Sequence, residues 1–234
     1  MVADGKIPAY RTKAGKGANF PVVLVIQEIF GVHEHMMDGG RRLAKLGYCA
    51  IAPTLFSRQG DVSKMDDFGE ILSKVVAKVL DKQVFADIRA TVAFAKIDKQ
   101  ANSTKLGIIG FCSGSRTVWM YAGRDPSVNA GVAHYCLLEG MKSNIKAQDP
   151  MDMGATLTDP VLGLNAGTDA FVKPAVIQLI RGELVKCRSG STIVILPDLD
   201  HGFNADYRPT CDKSAATYAW KPMRNCLKER GVQV

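Results

Sequence analysis

Gly110-Phe111-Cys112-Ser113-Gly114 follows directly on the apolar run Leu106-Gly107-Ile108-Ile109, and a helical pattern runs on from Ser115 to Tyr121. Strand, sharp turn and helix in that order, with glycines two residues either side of a cysteine, form a nucleophile elbow carrying a thiol where a hydroxyl is usual. The glycines are needed because side chains there would strike the neighbouring strand or helix. The reactive group is held in strained backbone above the carboxyl edge of a sheet. Such a thiol attacks a carbonyl carbon as its anion, from a free pKa of about 8.5. A neighbouring imidazole and the helix N-terminus behind the turn both favour that anion.

An elbow of this kind expects an acid and then a histidine later in the chain, each on a loop after a strand. Asp169 follows the apolar run at Val161 in Asn165-Ala166-Gly167-Thr168-Asp169, and His201 follows the run at Thr192 in Asp198-Leu199-Asp200-His201-Gly202-Phe203. His33 and His35 precede the nucleophile, and His134 sits in an apolar run where a core position is expected. Ser113 stands one place off the tip. Asp198 and Asp200 lie too near His201 in sequence for two separate loops. In this reading His201 takes the thiol proton and later delivers one or activates water, while Asp169 fixes its tautomer and supports its positive charge. A tetrahedral oxyanion needs two donors. The backbone N–H of Ser113 is one, and the other is expected from the loop after an earlier strand, near Ile29.

The elements that must position these groups alternate between short apolar runs and helical patterns, which predicts a parallel sheet flanked by helices. Strands are expected at Val22–Ile26, Cys49–Ala52 (stopped by Pro53), Leu106–Ile109, Ala130–Ala133, Val161–Leu164 and Ser191–Leu196. Helices are expected at His35–Leu46, Asp67–Leu80, Val84–Lys96, Pro174–Val185 and Ala215–Arg230. Phe56–Asp66 reads as a loop over the sheet edge, and Met141–Thr158 as a loop with a short helix. No linker, repeat or low-complexity tract interrupts the pattern, so residues 1–234 are expected to form a single domain.

Composition limits the function classes. At 234 residues, 47% hydrophobic and 23% charged, the chain has the make-up of a globular protein with a real core. No apolar run approaches membrane-spanning length, and the start lacks the pattern of a secretory signal, so a cytoplasmic location without membrane attachment is expected. The six cysteines include no C-x-x-C pair, and reduced thiols are expected rather than disulfides or a zinc site. His33-Glu34-His35 puts its histidines on different helix faces, which argues against a metal there. The net charge of +7 comes from lysines and arginines spread along the chain. That pattern suits an enzyme drawing in an anionic small molecule better than a nucleic-acid binder.

Gln27-Glu28-Ile29-Phe30-Gly31, Gly47-Tyr48 with Ala52-Pro53, Arg58-Gln59-Gly60, the cysteine elbow and His201-Gly202-Phe203 together resemble the dienelactone hydrolase (carboxymethylenebutenolidase) family, from Asp4-Gly5 to the last helix. The resemblance implies an α/β-hydrolase fold, no cofactor, and hydrolysis of cyclic enol-lactones bearing a carboxylate. It also implies that Glu28 interacts with Cys112 and takes part in generating the thiolate, and that the Ile29 N–H completes the oxyanion hole. Two family arginines that bind the substrate carboxylate have no direct counterpart. Asp66-Asp67-Phe68-Gly69-Glu70 holds none, and the nearest after His201 is Arg208. Arg58 and Arg208 are therefore the candidate anion binders, and Ser115 stands where many members have a further glycine. The rival readings are a catalytically weak relative that binds a small acidic ligand, a broad carboxylesterase or thioesterase, and a redox-sensing thiol with Cys136 or Cys49 as resolving partner. Nothing in the sequence indicates an oligomeric state.

Overall fold

The computed structural model describes residues 5–234; Asp4, where the family resemblance begins, lies outside the described residues. Seven strands, β1 (Ala9–Lys13), β2 (Phe20–Ile26), β3 (Cys49–Pro53), β4 (Ala101–Phe111), β5 (Ala130–His134), β6 (Val161–Ala166) and β7 (Thr192–Leu196), form one sheet. Their order is β1-β3-β2-β4-β5-β6-β7. Among these seven strands of the described residues, only the β1–β3 pair is antiparallel. Along β2 the side chains divide by parity. Val22, Leu24 and Ile26 enter one core, Val23 and Val25 the other, and all five are 0% exposed. A strand buried on both faces must read as an unbroken apolar run, and β2 does so.

The first core lies beneath α3 (Asp81–Ile97), α4 (Ser113–Ala122) and α5 (Pro174–Lys186), through Ile88, Val118, Trp119 and Ile177. The second lies beneath α1 (Glu34–Lys45) and α6 (Lys213–Glu229), through Met36, Leu43, Met223 and Leu227. This is the expected α/β-hydrolase architecture, with three differences from the sequence expectation. Strand β1 has no counterpart in the sequence expectation, because Tyr10, Arg11 and Lys13 give it a polar, half-exposed pattern that an edge strand tolerates. Strand β4 begins at Ala101, well before its apolar half, because backbone pairing of Ala101 and Asn102 with Phe20 and Pro21 extends it, across a register shift that precedes Leu106. The helix expected at 67–80 is irregular. A single α-turn (Phe68–Glu70, α2) widens into a π-helical turn over Ile71–Val75 and tightens to 3₁₀ over Val76–Lys78. Such bulges cluster at functional sites. Among the described residues no helix is long and apolar enough to cross a membrane.

The elbow is where the fold tolerates least change. A Cβ on Gly110 would lie 2.4 Å from the Gly114 carbonyl oxygen, and one on Gly114 would lie 2.5 Å from the carbonyl oxygens of both Ile26 and Gln27. Ser115, 0% exposed, explains its own presence. Its hydroxyl lies 2.7 Å from Gly110 O and 2.6 Å from His134 O, tying the turn to β4 and β5. Gly114→Ala is therefore expected to destabilise the protein by about 3 kcal/mol, lowering Tm by about 6–12 °C. Gly182→Ala, exposed on α5 with open space around it, should raise Tm by about 1–4 °C. Thermal unfolding of the two variants beside the wild type checks both signs.

Candidate active site

The backbone of Cys112 has φ 51° and ψ −117°, a left-handed conformation unusual for a side-chain-bearing residue. Its N–H donates to His134 O at 3.1 Å, so the strained turn hangs from the neighbouring strand. Ser113 is the first residue of α4, and its N–H has no intrahelical acceptor. Ile29 lies just past the end of β2, on the loop that Gly114 touches at its base.

The structure brings Asp169 and His201 together from the loops after β6 and β7. His201 Nδ1 lies 2.8 Å from Asp169 Oδ2, with both residues buried. The other carboxylate oxygen of Asp169 accepts the Phe171 N–H at 2.8 Å, which fixes the carboxyl plane. Edge-on rings of Tyr135 and Phe171, each with its centroid 5.0 Å from that of His201, pack against the imidazole. The competing aspartates do other work. Asp200 accepts the His201 backbone N–H at 2.6 Å, and Asp198 sits in a turn at φ 57°. His134 stacks on Phe111 at 4.7 Å with Nδ1 3.3 Å from Gly110 O, and burial lowers its pKa to about 4. It is the core histidine that its apolar setting suggested.

Glu28 is 0% exposed and sits in a nest of donors. The Tyr135 hydroxyl lies 2.9 Å from Oε1 and 2.8 Å from the Asn204 side-chain oxygen. On Oε2, Tyr207 donates a short hydrogen bond and Arg208 Nη2 donates at 3.2 Å. His33 Nε2 stands 3.8 Å away. Burial by itself would raise the pKa of this carboxyl, but His33, Arg208, Tyr207 and Tyr135 outweigh it and hold the value at about 2. Glu28 is thus an ionised carboxylate with almost no access to water.

That anion reverses one expectation. Burial, and next to it the charge of Glu28, push the Cys112 thiol up to about 12, against the pull of Arg208 and the Ser113 N–H. The helix N-terminus acts in the expected direction but is outweighed, so the resting sulfur carries its proton. The two arginines expected to bind a substrate anion are also engaged elsewhere. Arg58 makes a two-pronged ion pair with the buried Asp87 of α3, at 2.7 and 2.9 Å, and Arg208 serves Glu28. Tyr135, Tyr207 and Asn204 have no place in the sequence expectation, and His33, weighed there only as a rival base or metal ligand, stands beside Glu28. Tyr207-Arg208, in the turn after His201, was the one readable signal; Tyr135 reaches the site through a backbone at φ 39°, which no pattern reveals.

All six cysteines are free thiols. Among the described residues no cluster of three or more His, Cys, Asp or Glu side chains is placed to hold a metal ion. A buried thiol in a strained turn, N–H groups at a helix start, and an imidazole oriented by a carboxylate on loops of the same sheet edge are the groups that acyl transfer uses; among the described residues the imidazole ring meets Asp169, Tyr135 and Phe171 and makes no hydrogen bond to Cys112.

Comparison with known proteins gives a consistent picture. The model of the family described as "Dienelactone hydrolase family" matches residues 7–231. Among curated relatives, one from Methylorubrum extorquens is 46% identical over 229 residues, covering 98% of this chain and 79% of its own length. Another from Yersinia pestis is 40% identical over 228 residues, covering 97% and 85%. Both bear the name "Putative carboxymethylenebutenolidase". A crystal structure from Klebsiella pneumoniae, described as "Putative Dienelactone Hydrolase", superposes with a TM-score of 0.92 at 38% identity, covering 95% of this chain and 93% of that one.

The electrostatics of the site predict the sign of one substitution. Glu28→Gln removes the charge that raises the thiol pKa, so Cys112 alkylation by iodoacetamide at pH 8 should quicken by about tenfold for each pKa unit lost. The labelling profile should move to lower pH, whereas wild-type Cys112 should label slowly through neutral pH. Mass spectrometry of the Cys112 peptide against time and pH measures this. Slower labelling in the variant would show that Glu28 assists the resting thiolate instead.

Proposed function

Since the chain belongs to the dienelactone hydrolase family, whose members act on ester and lactone bonds, we propose that it hydrolyses an enol-lactone or activated carboxylic ester through an acyl-enzyme on Cys112. The observation that carries this reading is the 2.8 Å contact between His201 and Asp169, on loops of the same sheet edge as the Cys112 elbow. With Nδ1 bound to Asp169, the imidazole presents Nε2 as its free base.

In the proposed cycle the substrate carbonyl oxygen sits on the Ser113 and Ile29 N–H groups. Sulfur attacks the carbonyl carbon as His201 removes the thiol proton. The tetrahedral intermediate collapses, the C–O bond breaks, and His201 gives that proton to the departing oxygen. Water then attacks the thioester with His201 as base, the C–S bond breaks, and the sulfur regains its proton. Glu28 keeps the thiol neutral between turnovers. The penalty that its charge imposes on a thiolate vanishes once the sulfur is acylated, because a thioester carries no charge. A thiol acyl-enzyme favours substrates with good leaving groups such as enolates, so amides and simple alkyl esters should turn over weakly.

Cys112→Ala should lower kcat on p-nitrophenyl acetate by about a thousandfold or more. Wild type should also release a burst of p-nitrophenolate that the variant lacks. Equal steady-state rates in the two proteins would end the acyl-enzyme reading.

A further inference from the structure

A cavity lies beside the elbow, with Ser113 and Gly114 among its walls and His201 outside them. It has a volume of about 40 Å³, and Gln27, Leu55, Phe56, Val76, Ser113 and Lys146 are among its walls. The sheet order explains its position. Gln27 and Leu55 follow β2 and β3, on one flank of β4, whereas Asp169 and His201 follow β6 and β7, on the other. His201 must face the leaving oxygen that it protonates. A carbonyl held on the Ser113 N–H therefore directs its acyl chain towards the opposite flank, where this cavity lies.

The walls carry hydrogen-bond donors without acceptors. The Gln27 side-chain oxygen accepts the Leu55 N–H at 3.1 Å, which fixes the amide orientation and leaves Nε2 as the buried atom without a partner. Ser113 Oγ is likewise buried without a partner. Lys146 is 8% exposed, and its ammonium donates one hydrogen bond, to Val76 O at 2.9 Å, although it has three protons to offer. Asp81 and Arg116 also line the cavity, with Asp149 beyond them, but Arg116 holds both carboxylates. It makes a two-pronged pair with Asp81 at 2.7 and 2.9 Å and reaches Asp149 at 3.2 Å. Among the described residues Lys146 therefore forms no ion pair of its own. Burial draws its pKa down, and the field of Asp81 only partly restores it. A buried ammonium and two buried donors without acceptors are costly unless something accepts from them. The volume admits about three water-sized groups, the heavy-atom count of one carboxylate.

We propose that this cavity is the acyl-side subsite of the hydrolase and that it receives a carboxylate of the substrate, with Lys146 Nζ, Gln27 Nε2 and Ser113 Oγ as donors. The assignment rests on the acyl-enzyme reading for its orientation. It supplies the anion recognition that Arg58 and Arg208, both engaged by carboxylates of the protein, do not.

A matched pair of substrates tests it: mono-p-nitrophenyl glutarate, with a terminal carboxylate, and p-nitrophenyl valerate, of equal acyl length without one. In Lys146→Met the ratio of kcat/KM for the first over the second should fall at least tenfold from its wild-type value, mainly through KM. A general loss of folding or of catalysis lowers both rates and leaves the ratio unchanged. A ratio within twofold of wild type overturns the proposal and leaves the cavity a place for water. Titration calorimetry of glutarate into wild type and Lys146→Met decides the subsite separately from turnover. Binding at least tenfold weaker in the variant supports it, and equal binding, or none to the wild type, overturns it. A wild type that binds glutarate but cleaves neither ester counts against the hydrolase reading and not against the subsite.

Discussion

At its second glycine the backbone of the elbow touches the end of β2 so closely that no side chain fits, with a Cβ on Gly114 falling 2.5 Å from the carbonyl oxygens of Ile26 and Gln27. This contact sets the distance between the start of α4 and the loop carrying Glu28 and Ile29. It places the Ser113 N–H beside the same loop that Ile29 occupies, and brings Cys112 within the field of the Glu28 carboxylate. The positive φ of Cys112 and the seat of the Ser115 hydroxyl on Gly110 and His134 belong to the same compression. Strain of this kind persists only where the surroundings over-determine it, and here two strands and a helix do so.

A second feature follows from that closeness. Two ionisable groups that each disfavour the other's anion share a buried volume, and the environment settles which of them is charged. Glu28 has two phenols and a guanidinium to accept from, while the sulfur has only the charge of Arg208 and the Ser113 N–H in its favour. The charge therefore rests on the carboxylate and the proton on the sulfur. A site at rest in this state keeps its thiol protected from oxidation and alkylation, because both reactions require the thiolate.

The net charge of +7 gives little guide to where anions bind, because the cations near the site are largely neutralised from within. Arg58 is held by Asp87, Arg116 by Asp81 and Asp149, and Arg208 by Glu28. Each of these pairs joins parts of the chain well separated in sequence. Lys146 differs from them in being buried with a carbonyl and no carboxylate as its recorded partner.

By itself the sequence determined whatever depends on spacing along the chain. Glycines around Cys112 marked the elbow. Unbroken apolar runs marked the inner strands, and chain order after strands singled out Asp169 and His201. Those signals survive because a tight turn, a strand buried on both faces and a strand-end loop each impose their demands within a few residues. Edge strand β1 and the π-helical widening at residues 71–75 leave no such signal, since neither requires a strict apolar period. Tertiary structure alone decided which groups share a buried volume. Tyr135, Tyr207 and Arg208 converge on Glu28, Asp87 captures Arg58, and the thiol is left protonated. Charge states of buried groups are sums over every neighbour and over the water excluded, and that sum exists only once distant segments have been packed together.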